Sequence, residues 1–481
     1  MSSLSGSLDV TPAQRPSTYA LSVIVGLSLF VVTGLTFLVL PMAEDLGLDD
    51  STVQFALVAP AIAALLVVFV AGRAGDMLGE RRTIIAAGLI FTVGAGVVAS
   101  ATNDPSVVVG LALCGAGAIA IQVVALSLLN RVAPDGLAHV RAFTTFGMVF
   151  PLAFLLFPIA TAYVLGIANW RWVPVIWAVG GAVVIVMSFR LLERDRPVGA
   201  PGEWGSPILA GIALATGSRM LQEISRQERN LTIVAITASV CTLATIACVL
   251  ILKSARSPGL SLRPLSGAMM RPLLFGIAVI ALIQILTYVT IALEYFYDMS
   301  PLEASFAIAP AQIGAVIGAK LVASRSIRVW GIARSGRGLL LVTGLVMLLL
   351  VFFQSGTPVL FLIMVATLFS LTGVAALTVM NIDIMGRAPE GSAGVVSSFR
   401  TAASSLGAAA SMVVLGLAVL SSVSASDEAA DVDESQLEQL AAGLRLDGLV
   451  GCIIAVSGWA VLFLSARRNR RNLRSDAAIK P

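Results

Sequence analysis

Few residues in this 481-residue chain can do covalent or acid–base chemistry, and their spacing assembles no catalytic centre. His139 is the only histidine, and it falls between long apolar runs with no serine or carboxylate placed to make a catalytic pair with it. Cys114, Cys241, Cys248 and Cys452 all sit inside apolar runs. Cys241 and Cys248 lie two helical turns apart, too far to bridge within one helix, and there is no CxxC or HExxH pattern to ligate a metal. A GxxxxGK(S/T) phosphate cradle is also missing. The expectation is no catalytic residues, no metal and no cofactor. The formal charge, 31 − 27 = +4, gives no reason to invoke nucleic acid.

The polar residues that do stand out are stranded in apolar surroundings. With 58% hydrophobic and 12% charged residues and a mean hydropathy of +0.95, the chain cannot make a soluble surface, since ordinary globular chains carry about 25% charge. In hydrocarbon an ionisable group costs about 2.5–3.5 kcal/mol on insertion scales, so each one needs a reason to be there. Arg400 can snorkel, pair with Asp383 on the preceding helix, or serve as a gate or substrate counter-ion. Lys320 is one turn from a helix end and can reach water along its own stem. Glu294 stands beside Tyr295, Tyr297 and Asp298 in what reads as an interfacial belt, and is also a candidate proton site. Gln122, Gln284, Thr287 and Thr290 are uncharged mid-membrane groups, suited to interhelical hydrogen bonds or to lining a substrate cavity.

The elements that must position these groups are helices of about 20 residues, the length needed to cross about 30 Å of hydrocarbon. Uncharged runs of that kind occur at 18–40, 53–72, 83–101, 106–129, 142–166, 172–189, 231–252, 272–294, 303–323, 338–353, 358–381, 393–421 and 448–466, with a weaker one at 205–220. The polar segment up to Thr18 precedes a run too long for a signal-peptide core, so that run is expected to stay as the first membrane helix. The reading is all-α, with 14 transmembrane helices. Its parts are a six-helix bundle at 18–191, two inserted helices at 205–252, a second six-helix bundle at 272–466 and a basic tail at 467–481.

Lys and Arg collect in alternate loops, from Arg73, Arg81 and Arg82 through Arg131, Arg141 and Arg190 to the Arg467–Lys480 tail, which places both termini in the cytoplasm. Acidic residues mark the other side: Glu44, Asp45, Asp49 and Asp50, and a 421–446 loop with Asp427, Glu428, Asp431 and Asp433. Deleting the 205–220 span would invert every later loop, so it is retained, although it leaves Arg219 on the outside.

The first inner loop reads Gly72-Arg73-Ala74-Gly75-Asp76-Met77-Leu78-Gly79-Glu80-Arg81-Arg82. It resembles the signature loop of the major facilitator superfamily, Gly-x-x-x-Asp-(Arg/Lys)-x-Gly-x-(Arg/Lys)-(Arg/Lys), at the place where that family carries it. The resemblance implies an inner-gate role for Gly72, Asp76, Gly79, Arg81 and Arg82, with Asp76 docking on the helix that starts near Ser392. Glu390-Gly391-Ser392 is expected to cap that helix. Met77 stands where the family has a base.

Fourteen helices resemble the drug:proton antiporter branch, as do Asn169-Trp170-Arg171-Trp172 and Arg400-Thr401-Ala402-Ala403-Ser404-Ser405-Leu406-Gly407. The departures are specific. Val32 and Leu111 replace the branch's first-helix Asp and fourth-helix Arg, and its fifth-helix hinge signature survives only around Pro158. The resemblance implies a monomeric secondary transporter in a bacterial plasma membrane, exporting a hydrophobic or amphipathic compound, with protons as the candidate coupling partner. The missing charges favour a lipid or glycolipid exporter with altered coupling as the alternative. A non-transporting receptor or scaffold is the reading from another class.

Overall fold

The computed structural model describes residues 14–193, 202–224, 230–255, 257–414 and 434–479, and among these every regular element is helical. In chain order the helices are α1 (Thr18–Leu46), α2 (Thr52–Leu78), α3 (Glu80–Ala99), α4 (Asp104–Val132), α5 (Gly136–Ile167), α6 (Trp172–Leu191) and α7 (Gly205–Ile224). They continue as α8 (Leu231–Ser254), α9 (Met270–Tyr297), α10 (Leu302–Trp330), α11 (Ile332–Phe352), α12 (Val359–Met385), α13 (Ala393–Val414) and α14 (Gln436–Asn469). Among the described residues, twelve of these are long and apolar enough to cross a membrane. The other two, α7 and α13, are of similar length but more polar, α7 through Arg219 and Glu223 and α13 through Arg400 and its serines.

The helices fall on the expected apolar runs, because a chain in lipid must satisfy its backbone hydrogen bonds within each segment. Several ends extend beyond the expected runs, as at Gly136, Trp330 and Ile332, and the largest difference is in the last helix. The last span was expected over 448–466, yet one helix runs unbroken from Glu434 to Ile479, so most of the expected basic tail is helical too. The acidic residues Asp427, Glu428, Asp431 and Asp433 lie outside the described residues.

Small residues set the close approaches. A side chain at Gly115 of α4 would collide with the backbone of Pro60 in α2, so only glycine lets those two helices touch.

Several membrane helices are interrupted. α1 turns at Leu29, α5 steps at Gly147–Met148, and α9 is non-helical at Ile283 and Gln284. α10 contains a π-turn over Gly318–Val322, where Gly318 lies against the Leu371 backbone. The breaks in α1 and α9 occupy matching places in the first helix of each six-helix set, the arrangement that points to a binding site in repeat-built membrane proteins.

Contacts divide the helices into an amino half, α1–α6, and a carboxy half, α9–α14. α7 and α8 form a hairpin, and α7 packs on both α2 and α13, so it covers one of the two seams between the halves. The other seam lies between α5 and α10. Within α7, Arg219 pairs with buried Glu223 at 2.8 Å, which neutralises one of the three arginines that fit the charge pattern worst; the others, Arg226 and Arg229, lie outside the described residues.

Candidate functional site

At one end of the bundle, the end that the charge pattern assigns to the inner side, the two halves are tied together around Asp76. It stands in the last turn of α2, just before Gly79, whose φ of +100° ends the helix. Its Oδ1 accepts from the Gly394 N–H at 3.0 Å and its Oδ2 from the Val395 N–H at 3.1 Å. These are the second and third N–H groups of α13, the donors that a helix leaves unsatisfied. Asp76 thus caps a helix of the opposite half, where the positive end of the helix dipole also favours its charge. Ser392 does not play the expected capping part: its hydroxyl donates to the Pro389 carbonyl at 2.8 Å. Gly72 is required at the same junction, because a Cβ there would meet Ser398 and the Gly394 backbone.

Four further bonds close the inner seam. Ser397 Oγ donates to Val123 O and Ser398 Oγ to Val68 O, both at 2.8 Å. Lys320 Nζ donates to Thr145 Oγ1 at 2.6 Å, so it reaches the other half rather than snorkelling to water. His139 is buried, one ring nitrogen facing Ala133 O at 2.7 Å and the other facing Ile382 O of α12 at 3.1 Å.

Two residues of the loop also make contacts within their own half. Arg81 donates to Phe189 O at 2.6 Å and lies over the Phe189 ring, while Glu80 pairs with Arg131 at 2.9 Å. Arg82 is exposed at the start of α3.

On the outer side, Asp45 at the end of α1 accepts from Trp170 Nε1 at 2.9 Å and Arg171 at 2.5 Å, and Arg171 also donates to Ala101 O at 3.1 Å. The Trp-Arg pair of 169–172 therefore latches α1, α3 and α6 of one half to each other, without tying the halves together. The outer part of the α5/α10 seam holds a cleft of about 580 Å³, open mouth included, lined mainly by Phe154, Pro158, Ile159, Leu302, Phe306 and Gln312. Pro158, the expected hinge, sits in this wall beside Phe157, which stacks on Phe30 of α1 with ring centroids 3.6 Å apart.

Two of the polar residues nominated for a cavity, Gln284 and Thr287, share one face of α9 with Glu294. Ile285, Tyr288, Val289, Ala292 and Leu293 are buried against the carboxy half, which turns Gln284, Thr287 and half-buried Glu294 the other way. Gln284 is at the helix break itself. Thr290 is tied back to Leu286 O at 2.9 Å, and Gln122 lies on the partly exposed stripe of α4. In α1, Val32 is exposed with Thr36 and Leu40 on one face, so the position lacking its carboxylate is an open one.

One expected pair does not form. Arg400 donates through Nε to Asn381 Oδ1 at 2.8 Å, whereas Asp383 pairs with Arg387 at 2.7 Å. Residues two apart on a helix point in nearly opposite directions, so α12 can offer Arg400 only one of them, while Arg387 is one turn from Asp383 and shares its face.

Sequence reasoning missed three groups. His139 and Ser397–Ser398 carry no local pattern that marks them as inter-half donors. Asp447 stood just outside the expected last span, yet it is 1% exposed, and neither of its oxygens has a hydrogen-bond partner among the described residues.

Comparisons with known proteins agree with this geometry. The puromycin resistance protein pur8 of Streptomyces alboniger is 26% identical over 337 residues, covering 64% of this chain and 62% of its own length. The chain thus spans a little under two thirds of that relative. A multidrug resistance protein B homolog of Mycobacterium tuberculosis is 27% identical over 174 residues, 36% of this chain and 32% of the relative. Among solved structures, the human organic anion transporter MFSD10 (TETRAN) superposes with a TM-score of 0.66 at 15% identity, over 94% of this chain and all of that one. The proton:xylose symporter XylE does so with a TM-score of 0.60 at 12% identity, over 93% and 96%. Both likenesses concern the fold. The family model of the Major Facilitator Superfamily matches residues 21–412, and with its signature aspartate seated on the helix of the opposite half, this chain belongs to that superfamily.

Proposed function

We propose that the protein is a secondary transporter that exports a hydrophobic or amphipathic small molecule by alternating access. The observation that carries the reading is an asymmetry along the membrane normal. The inner seam is closed by the Asp76 cap and its neighbouring hydrogen bonds, while the outer α5/α10 seam holds an apolar cleft. In an apolar site, substrate affinity comes from shape and apolar contact, with a few polar groups, here Ser305 and Gln312, to orient the ligand. Sugars and organic anions would need more hydrogen-bonding or cationic groups. The printed names of the relatives, for puromycin and multidrug resistance, support the same class.

Within this proposal the chain crosses the plasma membrane of a bacterium fourteen times as a monomer, with both termini in the cytoplasm. α7 and α13 are the two additional spans, and the bundles 18–191 and 272–466 rock about Gln122, Gln284, Thr287 and Thr290. Pro158 is the hinge, and Arg400, Glu294 and Asp383 are gate or coupling candidates. Export of a lipid or glycolipid is the second reading. The apolar lining of the α5/α10 cleft favours it, because an acyl chain could pass that seam.

The test is transport of tritiated puromycin in proteoliposomes, with and without a pH gradient, beside a fluorescent phospholipid assayed for transfer between leaflets. Puromycin movement supports drug export, and phospholipid transfer alone supports the second reading. Movement of neither probe refutes both and leaves a receptor or scaffold. Tags on the two termini found on opposite sides of the membrane would refute the fourteen-span topology.

A further inference from the structure

Four carboxylates on the membrane helices have their charge met by a partner: Asp76 holds two N–H groups, Glu80 has Arg131, Glu223 has Arg219 and Asp383 has Arg387. Asp447 is as deeply buried and has none, and its pocket has a definite construction. On α9, Tyr288 is 4% exposed and donates its hydroxyl to the Ser411 carbonyl of α13 at 3.0 Å. Asp447, on α14, acts electrostatically on that same tyrosine. Ser411 is 1% exposed, and its own hydroxyl, like both Asp447 oxygens, has no hydrogen-bond partner. The rest of the wall is apolar: the neighbouring glycines of α14, Gly448 and Gly451, lie on Met347, Leu350 and Ile283.

Burying an ionised carboxylate without a counter-charge is so costly that such a group takes up a proton instead. Two helices pack on this stretch of α14: α9 brings Tyr288 to it, and the contacts from α11 are the apolar Met347, Leu350 and Val351. On α14 itself Arg445 is engaged with Glu438 at 2.8 Å. Among the described residues Asp447 makes no ion pair with a cation.

The pocket also touches a place able to move. Ile283, where α9 loses its helical geometry, packs on Gly451, one helical turn inward from Asp447. Bending α9 at that break shifts Tyr288 and the wall around the carboxyl together.

We propose that Asp447, buried on α14 with neither carboxyl oxygen hydrogen-bonded among the described residues, is the proton-binding site of this transporter. It is protonated in the inner-closed arrangement and releases its proton to water when α9 bends. The step is proton binding alone: one carboxylate oxygen gains a proton and later returns it. The proposal rests on the transport reading, but proton binding can be measured without any substrate.

In infrared difference spectra of the purified full chain between acidic and alkaline buffers, the buried-carboxyl band should vanish in Asp447→Asn and persist in Glu294→Gln. Tyr288→Phe should shift its titration midpoint. In proteoliposomes, Asp447→Asn should exchange tritiated puromycin at equal pH within about twofold of wild type, while accumulation driven by a pH gradient falls about tenfold or more. Asp447→Glu should restore part of that accumulation, which separates coupling from misfolding.

An unchanged infrared band in Asp447→Asn overturns the proposal. So does full pH-driven accumulation by that variant, or accumulation that follows a sodium gradient instead. If the wild type moves no puromycin, the transport reading fails, and the infrared titration still decides whether Asp447 binds the proton.

Discussion

Replacing Asp76 by asparagine keeps the shape of the inner-gate contact and removes its charge. The wild-type carboxylate accepts from Gly394 and Val395 at 3.0 and 3.1 Å, and hydrogen bonds to charged groups contribute about 1.5–3 kcal/mol each. Asparagine has one acceptor. It loses one bond, weakens the other to a neutral one, and turns its own N–H₂ toward a backbone N–H of α13. With the lost charge–dipole attraction of about 0.3–1 kcal/mol, and some discount because Asp76 is only half-buried, the net loss is about 3 kcal/mol. At about 1.4 kcal/mol per decade this shifts the gate equilibrium about a hundredfold, enough to take a gate that is closed about 99% of the time to about half. The assay is spin-label distance measurement across the inner seam in a variant lacking the four native cysteines, paired with puromycin export. Asp76→Asn should insert normally, show a second, longer distance population and lose export. A well-expressed variant with an unchanged distance distribution and unchanged export would refute the gate assignment.

Gly72→Val should produce the same longer population by a steric route, since its side chain would meet Ser398 and the Gly394 backbone; an unshifted distance would remove Gly72 from the gate. Asn381→Ala leaves the Arg400 guanidinium short of its acceptor and should cost about 1–3 kcal/mol, lowering Tm, whereas Arg400→Met should be neutral or stabilising. Equal Tm for both variants and wild type would show that the bond is idle. Glu203, in the loop before α7, is pushed up by burial, but hydrogen bonds from the Ser206 hydroxyl and the Gly259, Ser206 and Gly205 N–H groups outweigh this and hold its carboxyl below the usual range. A depressed folded pKa means that the staple is intact above the ordinary carboxylate pKa of about 4.3 and is lost as pH falls through the folded value. Protection of the Gly259 amide, relative to its intrinsic exchange rate, should therefore fall in acid; in Glu203→Gln protection should be low at neutral pH and insensitive to acid, and an acid response as strong as that of wild type would count against the staple.

Much of this architecture could be read from the chain directly. Apolar length sets where helices must be, because lipid offers no partner for an open backbone, and the observed helices fall on the expected runs, including the weak one at 205–220. The glycines around Asp76 marked a junction between the two halves, and the carboxylate is seated on the start of the predicted helix. What the chain alone left open depends on rotation about helix axes and on which helices become neighbours. Asn381 rather than Asp383 meets Arg400 because α12 turns that face inward, and no one-dimensional pattern in a uniformly apolar helix records its rotation. Asp447 read as a residue flanking a span until the unbroken α14 placed it inside a bundle. His139 and the two α13 serines acquired partners hundreds of positions away only when the inner ends of the two halves met. Composition and periodicity determined which segments enter the membrane, since that is a matter of each segment's transfer from water. Which polar groups end up paired, and which one is left alone, was decided by packing, because a hydrogen bond needs its two ends within about 3 Å and only the assembled fold brings them there.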